Sequence, residues 1–271
     1  MQLLVMLTST FGLFVASGYA IAARQRDDIS PRIYKISAAL CLLSFVMAVS
    51  ALGAEPQVTA LPFGLPWIGM HFRLDPLSAF FLGVIDLGGV AASVYAIGYG
   101  AHEKDRARVL PFFCAFLAAM NTVAMADDAF IFLVAWELMS LTSWALVLAH
   151  HRSEENRRAS FIYLMMASFG TLSLLMAFGL LAGSVGGYEF STIRTATHAP
   201  WIAGVVLALT LLGAGSKAGL APLHVWLPLA HPAAPSHVSA LMSGVMTKVA
   251  VYGFIRIVFD LNGPPAWWWS I

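Results

Sequence analysis

Residues 213–232 read GAGSKAGLAPLHVWLPLAHP and lie in one of the most apolar parts of the chain, yet they contain a lysine, a Gly–Pro helix breaker and two histidines. The apolar window around them, 201–228, would measure about 42 Å as one helix, which exceeds the roughly 30 Å hydrocarbon layer. Pro222 cannot donate to the carbonyl four residues earlier. The stretch therefore predicts a membrane-spanning helix that breaks after Lys217, at Gly219 and Pro222.

The composition of the whole chain supports a membrane location. Of its 271 residues, 59% are hydrophobic and 11% are charged, whereas soluble domains contain about 25% charged residues. Cys41 and Cys114 lie in apolar runs without the spacing of ligand motifs, which argues against iron–sulfur, zinc or disulfide chemistry. The net charge of +1 gives no reason to expect nucleic-acid binding. We expect no cofactor and no metal site.

Eight apolar windows are long enough to cross a membrane as helices. We therefore predict an all-α, polytopic membrane protein with about eight transmembrane helices and no soluble domain between them. The fourth window is short, and only Ala126, Asp127 and Asp128 separate it from the fifth, so these two helices must be neighbours. The windows are 3–22, 34–53, 77–99, 109–125, 129–149, 160–182, 201–228 and 237–259.

Basic residues in the loops indicate the orientation. The loops after spans one, three and five contain ten of them, whereas the loops after spans two, four and six contain only Arg73 and Arg194. Cytoplasmic loops are enriched in Lys and Arg, so the odd loops are predicted to be cytoplasmic and the N-terminus to lie outside. The ten residues are Arg24, Arg26, Arg32, Lys35, Lys104, Arg106, Arg108, Arg152, Arg157 and Arg158.

Three charged residues lie deep inside the predicted spans: Glu137 in span five, Lys217 in span seven and Lys248 in span eight. Each charge would cost about 2.5–3.5 kcal/mol at the bilayer centre, so all three are expected to face the bundle interior, water or one another. Free carbonyls at the helix break would favour the ammonium group of Lys217. Because a desolvated lysine readily exchanges its proton, a proton relay is one interpretation. A buried ion pair that only joins helices, or a lysine that snorkels beside a kink, is the alternative.

Three histidines follow the helix break: His224, His231 and His237. Histidine titrates near neutrality and could pass protons towards the cytoplasmic side, and His224 is the strongest candidate. A structural hydrogen bond is the alternative for each of them. The prolines between the histidines argue against a shared metal site.

Other charged residues in the spans have less defined roles. Asp86 lies near the middle of span three, where it could line a pore or cap a neighbouring helix. Arg256 and Asp260 lie close to the end of span eight, so we expect them to snorkel to the membrane surface.

Three segments resemble the antiporter-like membrane subunits of respiratory complex I: AWELMSLTSW (135–144), the block at 215–257 and HFRLDPLSAFF (71–81). That family includes multisubunit cation/proton antiporters and the membrane arm of energy-converting hydrogenases, and the 215–257 block is most similar to its hydrogenase-4 and formate hydrogenlyase members. The resemblance implies a non-redox, proton-translocating subunit in a prokaryotic cytoplasmic membrane. Its implied partners are other membrane subunits and peripheral redox subunits, and the transported ion is the proton, or sodium.

The resemblance also implies roles for particular residues. The family's fifth-helix glutamate corresponds to Glu137, the lysine before the break to Lys217 and the central lysine of the eighth helix to Lys248. The glutamate would modulate the proton affinity of the first lysine, and the second lysine would pass the proton onward. His224 is an additional candidate from the residues alone.

The family fold has about fourteen helices that include two inverted five-helix repeats. The resemblance therefore divides the chain into N-terminal helices (1–108), the first repeat (109–260) and the start of a truncated continuation (261–271). Because the second repeat is missing, we expect the chain to be part of a longer protein. An eight-span protein that is complete in itself could not hold the family's whole proton path.

Two other functions remain open from the sequence. One is a component of a cation/proton antiporter, and the other is a membrane scaffold without a transport role. The identity of the partner subunits would distinguish an antiporter component from a subunit of a hydrogenase-type complex. The scaffold would be favoured if neutralising the three buried charges left transport intact.

Overall fold

The computed structural model describes residues 1–26, 28–65, 69–100, 105–183 and 186–263. Within these ranges, eight helical segments are long and apolar enough to cross a membrane, which confirms the predicted helical, polytopic fold. The elements are α1 (Gln2–Ala22), α2 (Ile29–Ala51), β1 (Gln57–Leu65), β2 (Gly69–Leu74), α3 (Pro76–Tyr99), α4 (Arg106–Met125), α5 (Ala129–Val147), α6 (Glu154–Ala182), α7 (Phe190–Thr195), α8 (Pro200–Ala218), α9 (Leu227–Ala233), α10 (Ser236–Leu241) and α11 (Thr247–Ile255). Lys104 and the residues beyond Gly263 lie outside the described ranges.

Helix α4 is the centre of the bundle. Fifteen of its 20 residues are buried, and it packs against α1, α3 and α5. A helix that is apolar on all sides is typically buried, and the window is short because the first turn of the helix contains Arg106 and Arg108. The predicted tight turn to α5 is present, and Asp128 caps α5 by accepting a 2.7 Å hydrogen bond from the backbone nitrogen of Ile131.

The loop between α2 and α3 forms an antiparallel β-hairpin, which the all-α prediction missed. Its register runs from Gln57 opposite Leu74 to Leu61 opposite Met70. Pro62 lies inside β1, and a proline within a run argues against a strand when only the sequence is known. The hairpin lies on the α4–α5 turn, where the Asp127 nitrogen donates to the His71 carbonyl at 2.8 Å. We call this end of the bundle the hairpin end and the opposite end the basic end.

Two helices extend beyond their apolar windows at the basic end. Helix α2 begins at Ile29 rather than residue 34, and α6 begins at Glu154 rather than residue 160. The first turn of α6 contains Glu154 and Glu155, which interact favourably with the positive end of the helix dipole. An apolar window ends with the hydrocarbon layer, whereas a helix continues past it, so hydropathy alone sets these starts too late.

Span seven is broken where the sequence predicts. Helix α8 ends at Ala218, and Gly219 adopts a left-handed conformation with φ of 80°. The Leu220 nitrogen then donates to the Gly215 carbonyl at 2.9 Å, which closes the helix end as in a Schellman motif. A Cβ atom at Gly219 would lie 2.6 Å from a side-chain carbon of Leu227. A 3₁₀ turn at Leu223–Trp226 and helix α9 complete the span.

Span eight is continuous but contains two π-helical turns. The first, Met242–Met246, joins α10 to α11, and the second, Arg256–Leu261, ends the span. Such turns are rare and occur frequently at functional sites. Lys248 follows the first of them by two residues.

The loop charges give a testable topology. A reporter fused after Arg157 should be located in the cytoplasm, and a reporter fused after Arg194 should be located outside, because basic loops are retained on the cytoplasmic side. A pair of reporters, one active only in each compartment, measures this directly. The same reporter fused after Arg106 serves as the internal control and should match Arg157. The reversed pattern would contradict the orientation.

Candidate functional site

The ammonium group of Lys217 lies in the interior of the bundle, and the residue is only 3% exposed. Its Nζ donates to Ser140 Oγ at 2.7 Å and to the Tyr163 hydroxyl at 2.9 Å. The Tyr163 hydroxyl in turn shares a 2.6 Å hydrogen bond with Ser143 Oγ. Hydroxyl groups both donate and accept, so these partners can hold a lysine with or without its extra proton. We call these four residues the Lys217 cluster.

Small residues place Lys217 against α6. A Cβ atom at Gly213 would lie 2.9 Å from the Gly170 carbonyl oxygen, and one at Gly170 would lie 2.6 Å from Ser216 Oγ. Glycine at both positions therefore allows α6 and α8 to approach closely, as small residues do between membrane helices. This approach brings the lysine of α8 to the tyrosine of α6.

Glu137 lies one turn of α5 before Ser140 and does not contact the lysine directly. Its Oε2 accepts a 2.6 Å hydrogen bond from Thr171 Oγ1 on α6. In the part of the chain that the structure describes, no ion pair joins Glu137 to Lys217, although the two charges interact through space. Ser140, one turn of α5 after Glu137, accepts the hydrogen bond from Lys217. The structure thus connects the two predicted residues through Ser140 rather than by direct contact.

The carbonyl groups beside the helix break have partners of their own. The indole Nε1 of Trp226 donates to the Ser216 carbonyl at 2.7 Å, and the Gly215 carbonyl accepts from Leu220. Neither of these two carbonyl groups binds the Lys217 ammonium group. Hydroxyl groups from α5 and α6 hold it, and Trp226, which is 1% exposed, covers it from the side of the break.

Lys248 lies at the surface of the chain rather than in the bundle interior, one of the environments expected for it. Its side chain is exposed on the surface of the chain. Nζ donates to the Ser243 carbonyl at 3.0 Å and to Thr247 Oγ1 at 3.2 Å, both in or beside the first π-helical turn. The lysine is therefore tethered to its own helix, and its helix face is open.

The three histidines occupy different environments. His224 is exposed after the break, and its ring has no hydrogen bond to any residue of the described ranges. His231 stacks on Trp226 with ring centroids 6.5 Å apart, and its Nδ1 lies 3.0 Å from Ser239 Oγ. His237 is buried and its Nε2 lies 3.2 Å from the Tyr34 hydroxyl. Of the three histidines, His231 thus contacts Trp226, which covers the Lys217 cluster.

A second polar cluster lies at the hairpin end and corrects the expectation that Arg256 and Asp260 snorkel. Arg256 is 3% exposed, and its two terminal nitrogens each donate to Asp75 at 2.8 Å. Arg256 also donates to Asp260 at 2.8 Å, and Arg194 binds the same carboxylate at 2.8–2.9 Å. Arg194 reaches Asp127 at 3.4 Å. We call this group, with Arg73 beside Asp75 at 3.1 Å, the hairpin-end network.

The carboxylates of this network differ in their environments. Burial alone would raise the pKa of Asp75, but the hydrogen bonds and charge of Arg256 outweigh it and hold the pKa well below its usual range. Burial raises the pKa of Asp127, and the charge of Arg194 offsets only part of this effect. Asp75 is therefore the firmly ionised anchor that joins the start of α3 to the last turns of span eight.

A protein-family model described as NADH:quinone oxidoreductase/Mrp antiporter, TM matches residues 126–271. The chain belongs to this family. It is an antiporter-like, multi-pass membrane protein, and the match begins at the turn before α5, so it includes Glu137, Lys217 and Lys248.

Relatives in the family come from hydrogenase and antiporter complexes. The chain is 42% identical over 204 residues to hydrogenase-4 component B of Escherichia coli (strain K12), which covers 73% of this chain and 30% of that protein. It is 31% identical over 278 residues to a probable K(+)/H(+) antiporter protein of Rhizobium meliloti (strain 1021), covering 98% of this chain and 27% of the relative. The chain therefore spans about a third or less of the length of these relatives.

Two solved structures share the fold. One is the Mrp complex from Dietzia sp. DQ12-45-1b, with a TM-score of 0.78, 25% identity and coverage of 94% of this chain and 49% of that chain. The other is the membrane-bound sulfane sulfur reductase, an archaeal respiratory membrane complex, with a TM-score of 0.76, 21% identity and coverage of 97% and 54%. Both matched chains belong to multisubunit membrane complexes.

Several residues of this family member's site escaped the sequence reasoning because they are uncharged. Ser140 and Ser143 lie three and six residues after Glu137, a helical spacing that could have indicated a shared face. Tyr163 and Thr171 are eight residues apart on α6, which also places them on one face. An inspection of hydroxyl spacing around each membrane charge would have found all four.

Proposed function

We propose that the chain is a proton-translocating, non-redox membrane subunit of a hydrogenase-4-type oxidoreductase complex, with Lys217 as its central proton carrier. The Lys217 cluster is the observation that supports this proposal. It combines a buried lysine with neutral hydroxyl partners and lies beside a broken helix. A lysine that served only to join helices would instead be paired with a carboxylate.

Proton exchange at Lys217 uses the surrounding hydroxyl groups. In the charged state, Nζ donates to Ser140 and Tyr163 at 2.7 and 2.9 Å. In the neutral state, the same hydroxyl groups can rotate and donate to the amine. A nearby opposite charge favours a charged lysine, and burial favours a neutral one. The carboxylate of Glu137, one turn of α5 from Ser140, therefore sets the balance between the two states of Lys217.

Tyr163 connects the cluster to span eight. Its hydroxyl also donates to Met246 Sδ at 3.6 Å, and Met246 ends the π-helical turn that precedes Thr247 and Lys248. The resemblance to the family makes Lys248, two residues after this turn, the next carrier in the proposal. At the other side, His231 and Trp226 lie between the cluster and the basic end, which makes His231 the carrier on the uptake side.

The open helix face of Lys248 fits a protein that continues beyond this chain. We expect a further part of a longer protein to cover this face and to receive the proton there. The relatives support this view, since the chain covers 49% of the matched Mrp chain and 30% of hydrogenase-4 component B.

Membership of a multisubunit cation/proton antiporter is the second candidate. Similarity to the Rhizobium meliloti antiporter protein extends over 98% of this chain, and the Mrp fold matches at a TM-score of 0.78. The higher identity of 42% favours the hydrogenase type. Purification of the tagged full-length protein from its own host, followed by mass spectrometry, separates the two: hydrogenase large and small subunits support the proposal, and antiporter subunits contradict it.

Replacing Lys248 with alanine should leave insertion and assembly intact but strongly reduce coupled proton transport. Within the described residues the exposed side chain donates hydrogen bonds only to its own helix, so its loss removes a carrier and little packing. Acidification of inverted membrane vesicles, followed with a pH-sensitive dye, measures the effect. Lys35→Ala, a change of the same type in an exposed residue near the start of α2, is the matched control. Normal transport in Lys248→Ala would show that this lysine carries no proton.

A further inference from the structure

Asp86 is an acidic residue at the middle of α3 that none of the functions above uses. It is fully buried. Its Oδ1 accepts a 3.0 Å hydrogen bond from Asn121 Nδ2 of α4, while Oδ2 has no hydrogen-bond partner among the described residues. No ion pair in the described ranges involves Asp86. A carboxyl group thus lies inside the membrane part of the bundle without a cation.

Three further buried oxygen atoms without partners accompany Oδ2: Thr10 Oγ1, Ser44 Oγ and Asn121 Oδ1. Their depths follow from the helix register. Ser37 Oγ of α2 lies 3.3 Å from Cys114 Sγ of α4, and Ser44 and Asn121 are each seven residues further along these parallel helices. We call Thr10, Ser44, Asp86 and Asn121 the Asp86 layer.

Thr10 reaches the same depth from α1. The side chains of Gln2 and Ser50 form a 3.0 Å hydrogen bond at the hairpin end, where α1 begins and α2 ends. Eight residues after Gln2 along α1 is Thr10. Eight residues before Ser50 along the antiparallel α2 is residue 42, which lies within one turn of Ser44. All four helices α1–α4 therefore contribute an unpartnered oxygen, or a carboxyl group, to one layer.

Among the residues that the structure describes, the groups that face Asp86 include no other charge. From α2, the thiol of Cys41 is a weak hydrogen-bond donor to the carboxyl group and packs on α3, since a Cβ atom at Gly89 would lie 2.7 Å from its Sγ. From α4, the facing group is the amide of Asn121. On the span-eight side, Val245 and Leu241 pack against Gly88.

A bound proton satisfies this layer better than an ionised carboxylate does. As a carboxylate, Asp86 would be an unpaired charge in an apolar interior. As a carboxylic acid, Oδ2–H becomes a donor, and the Asn121 amide, which already contacts the carboxyl group, offers Oδ1 as an acceptor that lacks a donor. We propose that Asp86 is a proton-binding site, separate from the Lys217 cluster, in which Asn121 holds a carboxylic acid.

A row of polar side chains on α2 connects this site with the basic end. Tyr34, Ser37, Cys41 and Ser44 lie at helical spacing on one buried face. The Tyr34 hydroxyl lies 3.2 Å from His237 Nε2, at the start of span eight. The row supplies hydroxyl, thiol and imidazole groups through which the proton of Asp86 can exchange.

Infrared spectroscopy of the full-length protein in lipid nanodiscs tests the site. The wild-type protein should show the carbonyl stretch of a protonated carboxylic acid, and Asp86→Asn should lose it. The exposed loop variant Glu55→Gln should retain it. Asn121→Leu should shift the band to higher wavenumber without removing it, because the carbonyl oxygen then loses its hydrogen bond. This second variant keeps the test informative if Asp86→Asn fails to fold.

Two results would overturn the proposal. One is a spectrum that is the same in the wild-type protein and in Asp86→Asn. The other is a band that keeps its wavenumber in Asn121→Leu, since Asn121 would then not hold the acid. The site shares no residue with the Lys217 cluster, so either result leaves the proposed function standing, and loss of the proposed function leaves this site standing.

Discussion

Replacing Lys217 with methionine is expected to lower proton transport at least about tenfold, equivalent to about 1.4 kcal/mol in the activation free energy, while the protein remains inserted. Methionine occupies a similar volume without a charge, and Tyr163 retains its hydrogen bond to Ser143. The carrier is lost, but the packing between α6 and α8 is kept. Dye-monitored acidification of inverted vesicles from cells with equal protein levels measures the loss.

Further variants distinguish the loss of the Lys217 amine from the loss of its hydrogen-bond partners. Lys35→Met makes the same change in an exposed lysine and should transport normally. Ser140→Ala and Tyr163→Phe each remove one hydroxyl partner of Lys217 and should reduce transport less than Lys217→Met does. Full transport in Lys217→Met would show that the buried lysine is only tolerated.

A double variant tests whether Glu137 acts through Lys217. Glu137→Gln should also abolish most transport, and the pair Glu137→Gln/Lys217→Met should lose little more than either single variant, because groups that act as a unit are non-additive. Losses that simply add in the double variant would mean that the carboxylate and the lysine work independently.

Replacing Arg256 with methionine is expected to lower the free energy of unfolding by about 3 kcal/mol or more, because it leaves buried carboxylates without their main partner. Asp75 loses two 2.8 Å hydrogen bonds and Asp260 loses one. Arg73 still pairs with Asp75 and Arg194 still pairs with Asp260. The loss of unfolding free energy should therefore fall at the lower end of the range for broken buried ion pairs. Thermal unfolding in detergent, followed by the fluorescence of a thiol-reactive dye, measures the change.

The exposed pair of Arg32 with Asp28 provides the control for Arg256. Both side chains are more than half exposed, and exposed pairs contribute little to stability, so Arg32→Met should unfold at nearly the wild-type temperature. In the double variant Asp75→Asn/Arg256→Met, part of the lost stability should return because one unpaired charge is removed. Equal stability of Arg256→Met and the wild type would contradict a stabilising role for this network.

The sequence predicted those features that leave a local signature. Lys217 and the break at Gly219 were identified because a charge and a proline in an apolar run each violate a rule that depends only on neighbours in the chain. The partners of Lys217 could not be found in this way, since Ser140 and Tyr163 come from other helices and their hydroxyl groups do not change the hydropathy.

The same reasoning explains the errors. Arg256 was expected to snorkel because the sequence does not show that Asp75, 181 residues away, lies within 2.8 Å of it. Lys248 was expected to face the interior, water or another charge because a charge in a span must avoid lipid, and the sequence does not show that this helix face is open in the chain. The hairpin was missed because a search for long apolar windows does not test strands.

The few hydrogen bonds at the break have a consequence for motion. Residues 219–226 contain one short 3₁₀ turn, and the described hydrogen bonds to the helix of the lysine are the backbone bonds of Gly219 and Leu220 and the 2.7 Å bond from Trp226 to the Ser216 carbonyl. Each such bond contributes about 0.5–1.5 kcal/mol, so together they amount to far less than the stability of a whole domain. This segment therefore belongs to the low-stability end of the molecule, where local opening precedes global unfolding. Each opening would admit water to Lys217 while the eight spans stay folded.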